Sequence, residues 1–473
     1  MSIENTHFGA EKISEITSRS KSIFFIGIGG INMSSLAEIT ERRGIKVGGS
    51  DRARSAITEG LEKKGIDVFY THSEENVKGY DAVVYTVAIS RDNPEYVYAQ
   101  NNGIPCISRA DYLGYIMTAY KRRVGISGMH GKSSCTSMCA VTLIEGGCDP
   151  TVLSGASLPI MGGAYTVGGM DNFVFEACEY MDSFLDFAPN IAVVLNIEMD
   201  HVDYFKSMEQ IRTSYARFAS ITGKDGYAVY NCDDTDVTMA LKNYEGNRIT
   251  FGIDSENADV RAVNIGVLRG RHFFDVTVNG KYFCHIRLSV TGYHNIYNAL
   301  ATVAVCRLCG LDGKRIAKGL ESFKGAARRM EYKGTLNGAD VYDDYGHHPT
   351  EVAATLRGAS GLVSEVGRLF CVFQPHTYSR TAALFDDFAD ALAVADRVML
   401  ANIYAARETD TLGVSSEKLA LRIGERASAH PDLCSVAEAL KNEAHDGDTV
   451  IVMGAGDIYK IFDMLDLDKE GNK

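Results

Sequence analysis

Gly128-Met129-His130-Gly131-Lys132-Ser133-Ser134 follows directly on the apolar run Val124-Gly125-Ile126-Ser127. The order reads as a short strand, a glycine-rich turn and a helix beginning at Lys132. Glycines at both ends of the turn let backbone N–H groups converge on an anion, and the new helix adds its positive dipole end. Lys132 reaches the outer phosphates of a nucleotide, and Ser133 offers a hydroxyl to its Mg²⁺. The spacing departs from the common phosphate loop, because Ile126 stands where G-x-x-x-x-G-K-[ST] needs its first glycine. The plain alternative is a helix start with an incidental Gly-Lys-Ser. Taken alone, the stretch points to a nucleoside triphosphate site.

Upstream, Ile23 to Ile28 reads as a buried strand, Gly27-Ile28-Gly29-Gly30-Ile31-Asn32 as a tight turn and Met33 to Arg43 as a helix. A second strand, Lys46 to Ser50, ends at Asp51, and further strands are expected at 66–70, 81–86 and 104–107. Strands alternating with helices imply a parallel, doubly wound sheet. A glycine turn followed by an acid at the end of the next strand is the pattern of a dinucleotide site, with Asn32 in place of the third glycine. Gly27, Gly29, Gly30 and Asn32 are thus candidates to hold a phosphate-bearing nucleotide with its ribose or base near Asp51. A tight turn with no ligand is the alternative.

Downstream, 172–177 and 191–197 are apolar enough for central strands. Between Ala228 and Leu288 the pattern turns to β-hairpins, with Val278-Asn279-Gly280-Lys281 as an Asn-Gly turn. A helix follows from near His294. From about Ala327 the chain is α/β again, with strands expected at 339–342, 369–373, 397–401 and 449–453 and helices from near Pro349, Thr381, Ser416 and Ser435. The 473 residues have room for about three domains. The expected division is 1–122, 123–326 and 327–473.

Apolar content of 45% fits a protein with substantial cores. A net charge of −13 with no offsetting basic stripe argues against nucleic acid as a partner. Eleven scattered cysteines, an odd number without framework spacing, suit a reducing cytoplasm. Cys306 and Cys309 read as a buried helix face. The N-terminus lacks the apolar stretch of a signal peptide, and no run is long enough for a membrane span. A soluble cytoplasmic protein without membrane insertion is expected, and monomer and homodimer both stay open.

Acidic and imidazole groups cluster where the central strands end: Glu176 and Glu179 after one, Asp200, His201 and Asp203 after the other. Ligands of parallel sheets sit at that edge, so these groups can converge on a Mg-nucleotide. Oxygen donors make Glu176 a better Mg²⁺ ligand than His201. Asn295 and Asn298 share a helical face, where spacing alone favours a cap over an adenine contact. Arg328-Arg329, at the second boundary, suits either a transferring phosphoryl group or surface salt bridges. Two polar stretches follow strands of the last segment, Asp343 to Thr350 and Gln374 to Arg380. In the second, Arg380 can clamp a carboxylate.

The ordered set resembles the Mur ligases, and within them the alanine-adding kind, over essentially the whole chain. Ile26-Gly27-Ile28-Gly29-Gly30 with Met33-Ser34 is similar to the UDP-sugar turn, and Gly128 to Ser134 to the Mur-type phosphate loop. Glu176 to Glu179, Asp182 to Leu185, Asn196 to His201, His294-Asn295 with Asn298 to Ala301, Arg328-Arg329, Asp343 to Thr350, Phe373 to Arg380 and Ile403 to Glu408 complete the set. The implied fold is a Rossmann-like domain, a central phosphate-loop ATPase domain with added hairpins and a Rossmann-like C-terminal domain. The implied reaction is ATP-dependent ligation of L-alanine to UDP-N-acetylmuramate through an acyl phosphate.

The roles implied position by position are these. Gly128, Met129, His130, Gly131, Lys132, Ser133 and Ser134 cradle ATP, with Asn295 and Asn298 on its adenine side and Arg329 near the phosphates. Ser133, Glu176 and His201 serve Mg²⁺ or Mn²⁺, and Lys132, Glu176, His201 and Arg329 are the implied catalytic set. Gly27, Gly29, Gly30, Asn32, Met33, Ser34 and Asp51 hold the UDP-sugar. Asp344, Tyr345, His347, His348, His376 and Arg380 lie near the amino acid. Departures are Asn32 in the first turn, and Met129 and Ser133-Ser134 in the loop. Ser214-Tyr215-Ala216-Arg217, where sister ligases carry a carbamylated lysine, has none. Rival readings are a ligase that recycles a whole tripeptide onto the same sugar, a nicotinamide-dependent dehydrogenase, and a non-catalytic nucleotide-binding regulator.

Overall fold

A computed structural model of the chain describes residues 3–201, 204–268, 270–406, 408–409 and 412–468. Asp203 and Arg407 lie outside the described residues. Three sheets organise the chain. The first is wholly parallel, in the order Asp67–Phe69, Lys46–Ser50, Ser22–Ile26, Ala82–Tyr85, Cys106–Ser108. Its middle strands are buried, as the continuous apolar runs require.

The second sheet has ten strands, and the phosphate-loop strand Arg122–Ser127 lies between Ile191–Val194 and Asn172–Glu176, parallel to both. That strand begins at Arg122, one residue ahead of the expected boundary. The three carboxyl ends therefore open on one edge, which brings the loop, Glu176 and the residues after Val194 together. The third sheet runs Glu331–Leu336, Ala339–Asp344, Thr449–Met453, Leu369–Phe373, Arg397–Leu400, Ala427–Ala429.

The expected run of hairpins from Ala228 needs correction. Tyr227–Asn231 and Asn247–Gly252 are parallel strands joined through the helix Thr235–Leu241, and antiparallel pairing starts only at Val260. The polar stretch after Asn231 looks like a turn, but Asp234 accepts from the Val237 N–H and caps a helix. The Asn279-Gly280 turn forms as expected, with φ of 49° and 74° between paired Val278 and Lys281. The helix Gly9–Arg19 and the pair Thr151–Leu158 with Gly163–Thr166 were not foreseen.

One apolar cluster runs unbroken from the first sheet into the second, from Ile13 and Phe25 through Tyr112 and Tyr120 to Phe173, Phe175 and Phe218. The Tyr120 and Phe173 rings meet edge-on at 4.7 Å. The two clusters around the third sheet hold no residue from the other two sheets. Across that joint the close contacts include Thr350 to Glu198 at 2.8 Å and Arg380 to Asp200 at 3.2 Å.

Candidate active site

The loop owes its shape to two glycines. Gly128 has φ 146° and Gly131 φ 82°, both in the region where a side chain is strained. A Cβ on Gly131 would also stand 2.7 Å from Asn298 Oδ1. Asn196 braces the loop from the next strand: its Oδ1 accepts from the His130 N–H at 2.8 Å and its Nδ2 donates to the His130 carbonyl at 3.0 Å. The helix Lys132–Glu145 then starts without a side-chain cap, leaving its first N–H groups for a ligand.

Lys132 Nζ donates to the carbonyls of Gly128 and Met129, at 2.5 and 3.1 Å, and lies 3.0 Å from Glu179. Burial disfavours its charge, yet Glu179 outweighs that and holds the pKa above its ordinary value. Glu179 also takes His201 Nε2 at 3.2 Å, and against the effect of burial Lys132 and this His201 contact hold its pKa below the ordinary carboxylate value. Ser133 Oγ donates to Glu176 Oε2 at 3.1 Å, and Glu176 accepts the Gly155 N–H as well. A hydroxyl beside a carboxylate at a phosphate loop is a hard-oxygen set that suits Mg²⁺. His201, which has φ 50°, is turned to Glu179 and not to Glu176.

Two cavities, of about 390 and 420 Å³, meet at the loop. The first contains Ser134, Asn295, Asn298, Tyr297 and Asp233; the second contains Lys132, Ser133, Glu176, His201 and Tyr345. His130, Gly131, Arg329 and Glu351 border both. Asn298 Nδ2 donates to Asn295 Oδ1 at 2.9 Å, and Asn295 donates to the Thr291 carbonyl. Neither is the helix cap that spacing favoured, since no side-chain cap is made there. Tyr297 OH donates to Asp233, which also accepts the N–H groups of Ile253, Asp254 and Ser255.

Of the residues expected around the amino acid, Tyr345 and His347 line the second cavity, whereas Asp344 lines the first. Asp344 accepts from the Met330 and Gly346 N–H groups, fixing the loop that carries Tyr345 and His347. The Arg328 and Arg329 guanidinium groups lie 4.9 and 5.3 Å from the Tyr345 ring centre. His376 stacks on Tyr404 and stands 5.9 Å from the His347 ring. Arg380 pairs with Asp200, whose burial is overcome by Arg380 and His201 so that its pKa falls to about 2.

At the first turn, Gly27 has φ 84° and the Gly29 N–H is taken by Asp51 Oδ2 at 2.9 Å. The acid thus reaches the turn itself. Met33 is buried in the shared apolar cluster, and Ser34 Oγ donates to the Ile31 carbonyl. These two can serve a ligand only through their backbone or through rearrangement, whereas Asn32 lines a separate cavity with Arg109 and Glu176.

His130 links two domains. Its Nε2 and Nδ1 each lie 3.3 Å from a carboxylate, Glu198 and Glu351, with angles short of hydrogen-bond geometry. Burial opposes its charge, but the two acids raise its pKa to about 9. A folded-state value above the unfolded one stabilises fully below about pH 6.5, and the gain is lost as pH climbs through about 9. Thermal unfolding is therefore expected to show stability falling by up to roughly 3 kcal/mol between those limits. His130→Asn should flatten the profile in that window, and an unchanged slope would deny the His130 link.

Glu179 stood among the expected acids without a partner, and Asn196 and Glu198 stood in a quoted motif without a role. Glu351 and Asp233 were missed outright. Glu351 accepts from the His347 and His348 N–H groups as part of a capping box, a signal present as His348-x-x-Glu351.

Comparison with known proteins shows the family. Residues 22–121 match the model described as the Mur ligase family, catalytic domain, 126–306 the Mur ligase middle domain, and 328–456 the Mur ligase, glutamate ligase domain. A UDP-N-acetylmuramate–L-alanine ligase of Acetivibrio thermocellus is 46% identical over 95% of this chain and 96% of its own. One of Clostridium acetobutylicum is 44% identical over 94% and 97%. The solved UDP-N-acetylmuramate-alanine ligase of Thermotoga maritima superposes with a TM-score of 0.76 at 27% identity, covering 94% of this chain and 97% of that one. With three family models matched in order along its length, the chain belongs to the Mur ligase family.

Proposed function

We infer that the chain joins L-alanine to UDP-N-acetylmuramate at the expense of ATP, releasing ADP and phosphate. The observation that carries this is identity of 44–46%, over 94–95% of the chain, with relatives named for that ligation. The lactyl carboxylate of the nucleotide sugar attacks the γ-phosphorus of ATP, giving an acyl phosphate and ADP. The amine of L-alanine then attacks the acyl carbon, phosphate leaves and the amine loses a proton.

Lys132 binds the β- and γ-phosphates from its seat beside Glu179. Ser133 and Glu176 are the residues that would hold Mg²⁺ or Mn²⁺, with His201 close by, and the ion supplies neutralising charge for the triphosphate. Arg329 reaches the phosphate region from the third sheet's side of the joint. Asn295 and Asn298 face the adenine side, and Asp344, Tyr345, His347, His348, His376 and Arg380 frame the amino acid. Gly27, Gly29, Gly30, Asn32, Met33, Ser34 and Asp51 belong to the UDP-sugar end. We keep the division 1–122, 123–326 and 327–473, one substrate to each part. Among the described residues no helix is long and apolar enough to cross a membrane. All eleven cysteines are free, which fits work in the cytoplasm.

The test is phosphate release with UDP-N-acetylmuramate, ATP and one amine at a time. L-Alanine is expected to drive release and the cell-wall tripeptide is not. Turnover with the tripeptide alone would make this a recycling ligase.

A further inference from the structure

Arg109 opens the helix Arg109–Met117, directly after the edge strand Cys106–Ser108 of the first sheet. Its side chain lines a cavity of about 140 Å³ together with Asn32 from the glycine turn and Ser154, Glu176 and Ser183 from the central domain. Among the described residues its guanidinium makes no hydrogen bond or ion pair. Asp186, the carboxylate that acts on it from nearby, is hydrogen-bonded to His7 at 2.8 Å. Glu176, in the same cavity, is engaged by Ser133 and Gly155. Burial disfavours the charge and lowers the pKa of Arg109 even so. A largely buried guanidinium without a partner is costly, unless an anion arrives to complete its hydrogen bonds.

The surroundings say where that anion comes from. Asn32 is in the first turn of the helix Ile31–Arg42, whose Gly30 start has no side-chain cap, so N–H groups remain open there. At the other side, Glu176 touches Ser133 of the phosphate loop. Arg109 thus lines a cavity shared by an open helix start and the triphosphate site.

We propose that Arg109 is a binding residue for the nucleotide sugar, taking an anionic oxygen of its diphosphate or of its lactyl carboxylate between the glycine turn and Glu176. This rests on the function inferred above. Both sources offer the paired oxygens that a guanidinium fork engages.

Calorimetric titration of the full chain with UDP, UDP-N-acetylglucosamine and UDP-N-acetylmuramate tests it, using the parent, Arg109→Ala and Arg109→Lys. Arg109→Ala is expected to weaken UDP-N-acetylmuramate roughly 10- to 100-fold, with Arg109→Lys in between. Loss shared by all three ligands assigns the diphosphate; loss confined to the muramate assigns the carboxylate. ATP affinity, read on the same samples, should hold and so report an intact fold. Parent-like muramate binding by Arg109→Ala overturns the proposal and leaves the ligase reading standing. Failure of the parent itself to bind the muramate overturns both.

Discussion

Lys132→Met is expected to lower ATP-dependent phosphate release by on the order of 10³-fold, with little left at any ATP concentration. Methionine keeps much of the length and apolar stem but brings no charge to the phosphates. The ammonium already sits among the Gly128 and Met129 carbonyls and Glu179, so its position is set before ATP arrives. Little reorganisation then stands between binding and reaction, and that is where preorganised charge helps most. The same change removes the Lys132 charge from buried Glu179, leaving only the His201 contact. Denaturation should therefore register a destabilisation of roughly 3 kcal/mol or less. Full phosphate release from the variant would remove the loop from the reaction.

Arg329→Ala should reduce kcat by on the order of 10³-fold at saturating ATP, as when an arginine is taken from a phosphoryl-transfer site. Arg329 borders both cavities, with Nη1 4.0 Å from Glu351 and its guanidinium 5.3 Å from the Tyr345 ring centre. It comes from the segment ahead of the third sheet, so the charge is delivered only when the two domains are docked. Lysine is expected to restore a minor part, because an ammonium lacks the fork and stacks poorly on Tyr345. Steady-state rates at saturating substrates check this. A kcat within about tenfold of the parent would confine Arg329 to the ion pairs of the joint.

Much of the fold was legible in local pattern. Leu369–Phe373 and Thr449–Met453 fall where apolar runs end in turn residues. Glycines announced both strand-to-helix turns, at Gly27 and from Gly128 to Gly131, because positive φ leaves few alternatives. Partners were harder to read. Asp200 and Arg380 stand 180 residues apart in sequence, and nothing near either names the other. Asn298 looks like an ordinary helix-start residue until its helix packs against Gly131. Glu179 and Glu176 share a strand end, and only the packed sheet shows that one faces Lys132 and the other Ser133. Arg109 carries no motif at all, and only the packed domains show that it makes no ion pair among the described residues.

The two joints of the molecule are made of different materials. Between the first and second sheets the seam is mainly apolar, closed by Tyr120 on Phe173 within one continuous cluster, with polar contacts such as His7 on Asp186 at its rim. Toward the third sheet it carries charge, with Arg380 on Asp200 and His130 between Glu198 and Glu351. Added salt screens the second kind of seam and, for strongly hydrated anions, tightens the first. Raising the salt concentration is therefore expected to loosen the last third of the chain before the first two thirds come apart, like a door whose latch is magnetic and whose frame is not.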